Sequence, residues 1–67
     1  MNTEKIIQLN HYIDMQMSER DYLRVTGGSK KKIEECNRYM VDAVIVARKS
    51  GLITSNDYEE YLNMILD

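Results

Sequence analysis

The run of residues 39–47 constrains the fold more than any other part of the chain. It reads YMVDAVIVA, and Asp42 is its only charged residue. On a helix this run is apolar nearly all the way round, which is typical of a helix central to its fold or covered by a partner. It is also far too short to span a bilayer. The sequence therefore predicts a core or a self-association interface formed by Tyr39, Met40, Val41, Val44 and Ile45.

The chain length of 67 residues predicts one small domain over 1–67. Such a chain buries only about 60% of its unfolded surface, so its stability alone is expected to be marginal. The single cysteine, Cys36, excludes an intramolecular disulfide, and Cys36 with His11 cannot fill a four-ligand zinc site. We expect no cofactor or metal, and we expect self-association, first of all as a homodimer, to supplement the core.

The first residues and the lone cysteine bear on the compartment. Residues 1–5 read MNTEK and lack the basic region and apolar run of a secretory signal. A lone cysteine without a disulfide framework suits a reducing compartment. We therefore expect a cytoplasmic protein without a membrane partner.

Composition and periodicity predict an all-α bundle of three main helices. The chain has no proline and three glycines, and it has few strong strand runs. Residues Ile6, Leu9, Ile13 and Met17 recur at intervals of three and four, which predicts a helix over about 3–17, capped by Asn2 or Thr3. The segment Ser18-Glu19-Arg20-Asp21 resembles a fresh helix start, so residues 18–26 form either a short extra helix or the last turns of the first.

Glycines and capping residues delimit the other two helices. The pair Gly27-Gly28 predicts an end, after which Ser29 can cap a long helix over about 29–50. Gly51 is a natural stop for that helix. Thr54-Ser55-Asn56-Asp57 is a second capping signature, and it predicts a final helix over about 54–66. The short link at 51–53 requires that this helix fold back antiparallel against the long one.

Charge is unevenly distributed along the chain. Residues 22–33 contain no acid, residues 54–67 contain no base, and the net charge is only -2. The lysines fill the first turn of the long helix, where the helix dipole disfavours cations. Two interpretations of these lysines remain open. In the first, they form a solvated face, or a patch complemented by the acidic last helix of this or another copy. In the second, they form part of an anion-binding site. The adjacent glycines do not match the spacing of a P-loop. The candidate partner- or anion-binding residues are Arg24, Lys30, Lys31 and Lys32.

No catalytic constellation is present, so we expect a protein that is not an enzyme. Cys36 lies on the apolar stripe without an identifiable base, which favours a small buried hydrophobe over a nucleophile. The adjacent acids Glu34-Glu35 and Glu59-Glu60 diverge by about 100° on a helix and form no paired site. Methionine and tyrosine favour adaptable interaction surfaces. The candidate partner-surface residues are Met15, Met17, Tyr58 and Tyr61.

Three functional hypotheses follow from these observations. The first is a small protein-protein interaction protein that self-associates and docks on a partner protein, as a bacterial or phage regulator or inhibitor does. This hypothesis names a general class of protein and does not identify a family. The second is a helix-turn-helix-type DNA-binding protein that uses the basic turn at 24–32, and it ranks below a protein partner because the net charge is negative. The third is a self-assembling structural or scaffold unit.

Overall fold

Three α-helices make up the fold. The computed structural model describes residues 3–66, in which α1 is Thr3–Thr26, α2 is Lys30–Lys49 and α3 is Ser55–Leu66. The prediction of an all-α fold with three main helices is confirmed. None of these helices is long and apolar enough to cross a membrane. The candidate cap Asn2 and the terminal acid Asp67 lie outside the described residues.

The first helix continues without a break through Ser18, so residues 18–26 are its last turns. The capping signature at 18–21 does not interrupt the helix. Arg20 lies seven residues after Ile13, about two turns further along the same face. A continuous helix therefore carries the core face of α1 on to Arg20, which is buried.

The helices lie side by side along one axis. The molecule measures 40 × 19 × 15 Å. At about 1.5 Å per residue, α1 is about 36 Å long and α2 about 30 Å, so both must lie along the long axis. The short link 27–29 makes them an antiparallel hairpin. Contacts of Tyr61 with Asn10 and of Ile65 with Arg20 place α3 alongside, running in the direction of α1.

The first link is closed by a glycine pair and a serine cap. Gly27 has φ 72°, a left-handed conformation that glycine adopts without a Cβ penalty. The Gly28 N–H donates to the Leu23 carbonyl at 2.6 Å, which is the longer bond of a Schellman motif. Ser29 Oγ then accepts from the Lys32 N–H at 3.5 Å and caps α2.

The second link repeats these devices. Gly51 has φ 79°, and the Leu52 N–H donates to the Ala47 carbonyl at 2.9 Å. Thr54 Oγ1 accepts from the Asp57 N–H at 3.1 Å, and Asp57 Oδ2 accepts from the Thr54 N–H at 3.4 Å. This reciprocal pair is a capping box, and it begins α3 where the sequence predicts.

The core is built around α2. The central apolar run contributes Met40 and Val44, both without exposed surface, to the intramolecular core. Tyr58 packs against this core, which also contains the buried Ile53 that precedes the α3 cap. The run at 39–47 is therefore covered mainly by α1 and α3 of the same chain. The buried cluster consists of Leu9, Ile13, Met40, Val44, Ala47, Ile53 and Ile65.

A buried arginine joins the three helices. Arg20, on α1, is only 5% exposed. Its Nη1 donates to Asn37 Oδ1 on α2 at 2.9 Å and to the Ile65 carbonyl on α3 at 2.5 Å. The Ile65 carbonyl belongs to the last turn of α3, where a cation suits the helix dipole. Among residues 3–66, Arg20 Nε has no hydrogen-bond partner, and it lies 3.5 Å from Asp21 Oδ1.

Candidate functional site

A groove runs between α1 and α2 on one side of the hairpin. Met15 and Leu23 line it from α1, and Tyr39 lines it from α2. The buried Cys36 lies at its floor. The remaining lining residues include three charged side chains: Glu19, Lys32 and Glu35.

This groove faces away from α3. On α1, Asn10 contacts α3 through Tyr61. Glu19 follows Asn10 by nine residues, which is about two and a half turns and therefore the opposite side of the helix. On α2, Arg48 donates to Ser55 of α3 at 2.8 Å, and Tyr39 precedes Arg48 by the same nine residues. The third helix therefore leaves this side of the hairpin uncovered.

Apolar side chains are exposed on the uncovered side. Met15 is 59% exposed and Tyr39 is 42% exposed. Tyr12 lies one turn before Met15, and Val46 lies two turns after Tyr39, so both share the same sides of their helices. Exposed apolar groups that adjoin one another mark interaction surfaces more often than scattered ones do. We call Tyr12, Met15, Tyr39 and Val46 the hairpin face.

The thiol at the floor of this groove is not a nucleophile at neutral pH. Burial raises the pKa of Cys36, and the nearby Glu19 carboxylate raises it further. The Arg20 guanidinium opposes these effects, and Glu35 adds to them. The thiol therefore stays protonated, and the thiolate that would attack or bind a metal is disfavoured.

A second groove lies between α3 and the start of α1. Its apolar lining is Ile6, Ile53, Tyr61 and Met64. Two carboxylates on α3 border it, Asp57 and Glu60. We call this set the acidic groove.

Two carboxylates act on Tyr61, the tyrosine of the acidic groove. The Tyr61 hydroxyl donates to Asn10 Oδ1. Burial raises the pKa of Tyr61, and the carboxylates of Asp57 and Asp14 raise it further. The negative charge around Tyr61 therefore comes from both α1 and α3.

Four cations cluster at the end of the hairpin where α1 passes into α2. Arg24 Nη1 lies 3.9 Å from Asp21 Oδ1. Lys30, Lys31 and Lys32 are exposed and form no ion pair with an acid among residues 3–66. Two exposed apolar side chains precede them, Tyr22 at 65% and Val25 at 86%. We call residues 22–32 the basic turn.

The structure brings together some of the residues that the sequence singles out and separates others. Met15, predicted as partner surface, and Tyr39, predicted as self-association surface, line the same groove. Met17 is half-buried and packs against the core, as Tyr58 does. Tyr61 lies in the acidic groove instead.

The central apolar run divides between the core and its edge. Met40 and Val44 are fully buried, and Val41 and Ile45 are half-buried. Sequence reasoning missed Tyr12 and Val46 as parts of an open face. Their signal was their spacing to Met15, which was predicted as partner surface, and to Tyr39, which was predicted as self-association or core.

Residues 3–66 contain no group of three or more His, Cys, Asp or Glu side chains placed to hold a metal ion. Comparison with protein-family models, with curated proteins and with solved structures finds no match for this chain.

Proposed function

We propose that this chain is a small non-enzymatic interaction protein that docks on a partner protein through the hairpin face. One observation carries the proposal: Met15 and Tyr39, from two different helices, meet in an open groove on the side that α3 leaves uncovered. Tyrosine and methionine are enriched at protein interfaces. Docking through this face would let the protein act on its partner as a regulator or inhibitor.

The shape of the groove favours a helix as the docked element. Two antiparallel helices present a channel into which the apolar face of an amphipathic helix fits. α3 packs in this manner against the opposite side of the hairpin. The mixed charges of Glu19, Lys32 and Glu35 line this groove and set the orientation of the partner more than its affinity.

The test is affinity capture of partners from a lysate of the native host. Matched variants of this protein serve as bait, and each capture is carried out with and without nuclease. Met15→Lys places a charge in the groove and should abolish recovery of a discrete partner. Leu66→Lys is the control. The exposed fraction of Leu66, 63%, is similar to that of Met15, but Leu66 lies on α3. Equal recovery of a partner with both variants would contradict the assignment. Loss of the recovered partner after nuclease treatment would also contradict it.

A second candidate function is nucleic-acid binding. The charges of Lys30, Lys31 and Lys32, which form no ion pair within the described range 3–66, favour it. The geometry of the hairpin does not support this candidate. Its helices α1 and α2 lie along one axis, whereas the two helices of a helix-turn-helix motif cross at about 90–120°. Changing the three lysines to alanine should then weaken binding to a DNA duplex and reduce its salt dependence. Duplex binding that is unchanged in this variant would exclude the candidate.

A further inference from the structure

We propose that copies of this chain associate head to tail, with the basic turn of one copy docked in the acidic groove of the next. The acidic groove is separate from the hairpin face, whereas Leu23 and Lys32 of the basic turn also line the groove beside that face. The contact proposed here uses Arg24, Val25, Lys30 and Lys31, which do not line that groove, so it does not depend on the proposed docking function. It rests on the match in charge and polarity between two sites that cannot meet within one copy.

The acidic groove has the chemistry to receive an apolar side chain that adjoins cations. Ile53 is buried, so the floor is apolar, while Met64 is 46% exposed at the edge. The carboxylates of Asp57 and Glu60 border the groove. Among the residues that the structure describes, no basic side chain lines it.

The basic turn has the complementary chemistry. Val25 is 86% exposed, next to Arg24 and near the turn from which Lys30 and Lys31 project. These lysines occupy the first turn of α2, where the helix dipole opposes them. Local helix energetics therefore do not account for their charge, whereas a partner surface that bears carboxylates does.

Distance excludes an intramolecular contact between the two surfaces. Ile6, in the acidic groove, and Val25, in the basic turn, lie on the same continuous helix. They are nineteen residues apart, which corresponds to about 28 Å along α1. A second copy can bring the two surfaces together.

The two surfaces differ, so the contact is heterologous. Heterologous contacts continue into a ring or an open chain of copies rather than stopping at a symmetric dimer. The charges on both surfaces are exposed, so salt should screen the contact over a Debye length of about 8 Å at physiological ionic strength.

The first test is sedimentation velocity of the full chain at low and high ionic strength. At low salt the wild type should sediment with a weight-average mass above the 7.9 kDa of one copy, and added salt should return it to that mass. Glu60→Arg should abolish assembly at low salt. Glu59→Arg is the matched control, because it makes the same charge change on α3 but does not line the groove.

The second test uses a variant of the other surface, Lys30→Glu with Lys31→Glu. Acids in the first turn of a helix suit its dipole, so this variant should fold at least as well as the wild type. It should be monomeric alone, because the two substitutions cancel the positive charge of its basic turn. Mixed with Glu60→Arg, it should form a one-to-one dimer, since one intact basic turn and one intact acidic groove remain.

Circular dichroism on each variant separates lost assembly from lost folding. If Glu60→Arg lowers the melting temperature, Met64→Lys at the exposed edge of the groove replaces it. A wild type that stays monomeric at low salt, or a mixture that stays monomeric, would overturn the proposal. Equal effects of Glu59→Arg and Glu60→Arg would also overturn it.

A labelled DNA duplex tests the competing occupant of the basic turn. The wild type should show no duplex binding under the ionic conditions in which it assembles. Duplex binding that the lysine variant loses, combined with a monomeric wild type, would assign the basic turn to nucleic acid and overturn the proposal.

Discussion

Replacement of the buried Arg20 gives the most direct measure of what holds the three helices together. Nη1 of Arg20 bonds Asn37 on α2 and the Ile65 carbonyl on α3, so one side chain joins all three helices. Arg20→Met keeps much of the apolar stem and removes both hydrogen bonds. Arg20→Ala removes the stem as well. Both variants should be less stable than the wild type, and the alanine variant should be the less stable of the two.

The expected magnitude follows from the two bonds and the burial of the charge. A hydrogen bond from a charged donor contributes about 1.5–3 kcal/mol, so the methionine variant loses roughly 3–6 kcal/mol of bonding. Removal of the buried charge also relieves its desolvation, and the lack of a partner for Nε makes this offset substantial. We expect a net loss of about 2 kcal/mol for methionine. Alanine also lacks the Cγ methylene and the Cε methyl group of methionine, which at about 0.8 kcal/mol each bring its loss to roughly 3.5 kcal/mol.

These losses are large relative to the stability of so small a chain. At 0.05–0.15 kcal/mol per residue, its total stability is about 3–10 kcal/mol. A loss of about 2 kcal/mol corresponds to a decrease of roughly 8–16 °C in melting temperature for a domain of this size. Thermal and urea unfolding, followed by far-ultraviolet circular dichroism, measure both quantities.

The control is Arg24→Met, on the same helix at an exposed position. It should change stability by no more than about 0.5 kcal/mol. A double-mutant cycle with Asn37→Ala should give a favourable coupling between Arg20 and Asn37. If Arg20→Met is as stable as the wild type or more so, desolvation outweighs the two hydrogen bonds, and the reasoning fails.

Four further predictions concern single positions. Gly27→Ala should cost about 1–2 kcal/mol in urea unfolding, because the position has a left-handed backbone and a methyl group meets no neighbour there; an unchanged midpoint would contradict this. Val44→Asp should unfold the monomer itself, seen as lost helical circular dichroism, because Val44 has no exposed surface. Cys36 should react with iodoacetamide far more slowly in the folded than in the urea-unfolded chain, as mass spectrometry would show, because it is buried with a raised pKa. The raised pKa of Tyr61 means that its contribution to stability is complete below pH 10 and is lost as the pH rises through the folded pKa. The urea midpoint should therefore fall above pH 10 in the wild type and fall less in Tyr61→Phe.

Local sequence signals predicted the helices because their causes are local. The left-handed positions at Gly27 and Gly51 and the capping box at Thr54 each depend on a few neighbouring residues. The apolar stripes identified the core residues for the same reason. Ser18 shows the limit of such signals: a capping pattern was present, but the burial of Arg20 against α2 and α3 favours a continuous helix.

The candidate sites depended on contacts that no local pattern contains. Arg20 is charged, so its position on the core stripe gave no sign that Asn37 and the end of α3 would satisfy it. Tyr12 fits the spacing of the apolar stripe on the first helix, and this spacing does not distinguish a core position from an exposed one. Tyr12 is left exposed because α3 packs on the other side of the hairpin, which depends on packing between distant segments.

A partner protein that docks on the hairpin face would lie against positions 15 and 39. A photo-crosslinking amino acid placed at either position tests this claim, with position 66 as a control of similar exposure to Met15. In cells of the native host, positions 15 and 39 should both crosslink to the same partner protein, and position 66 should not. Crosslinks to that partner from position 66 alone, or no partner from positions 15 and 39, would contradict the claim.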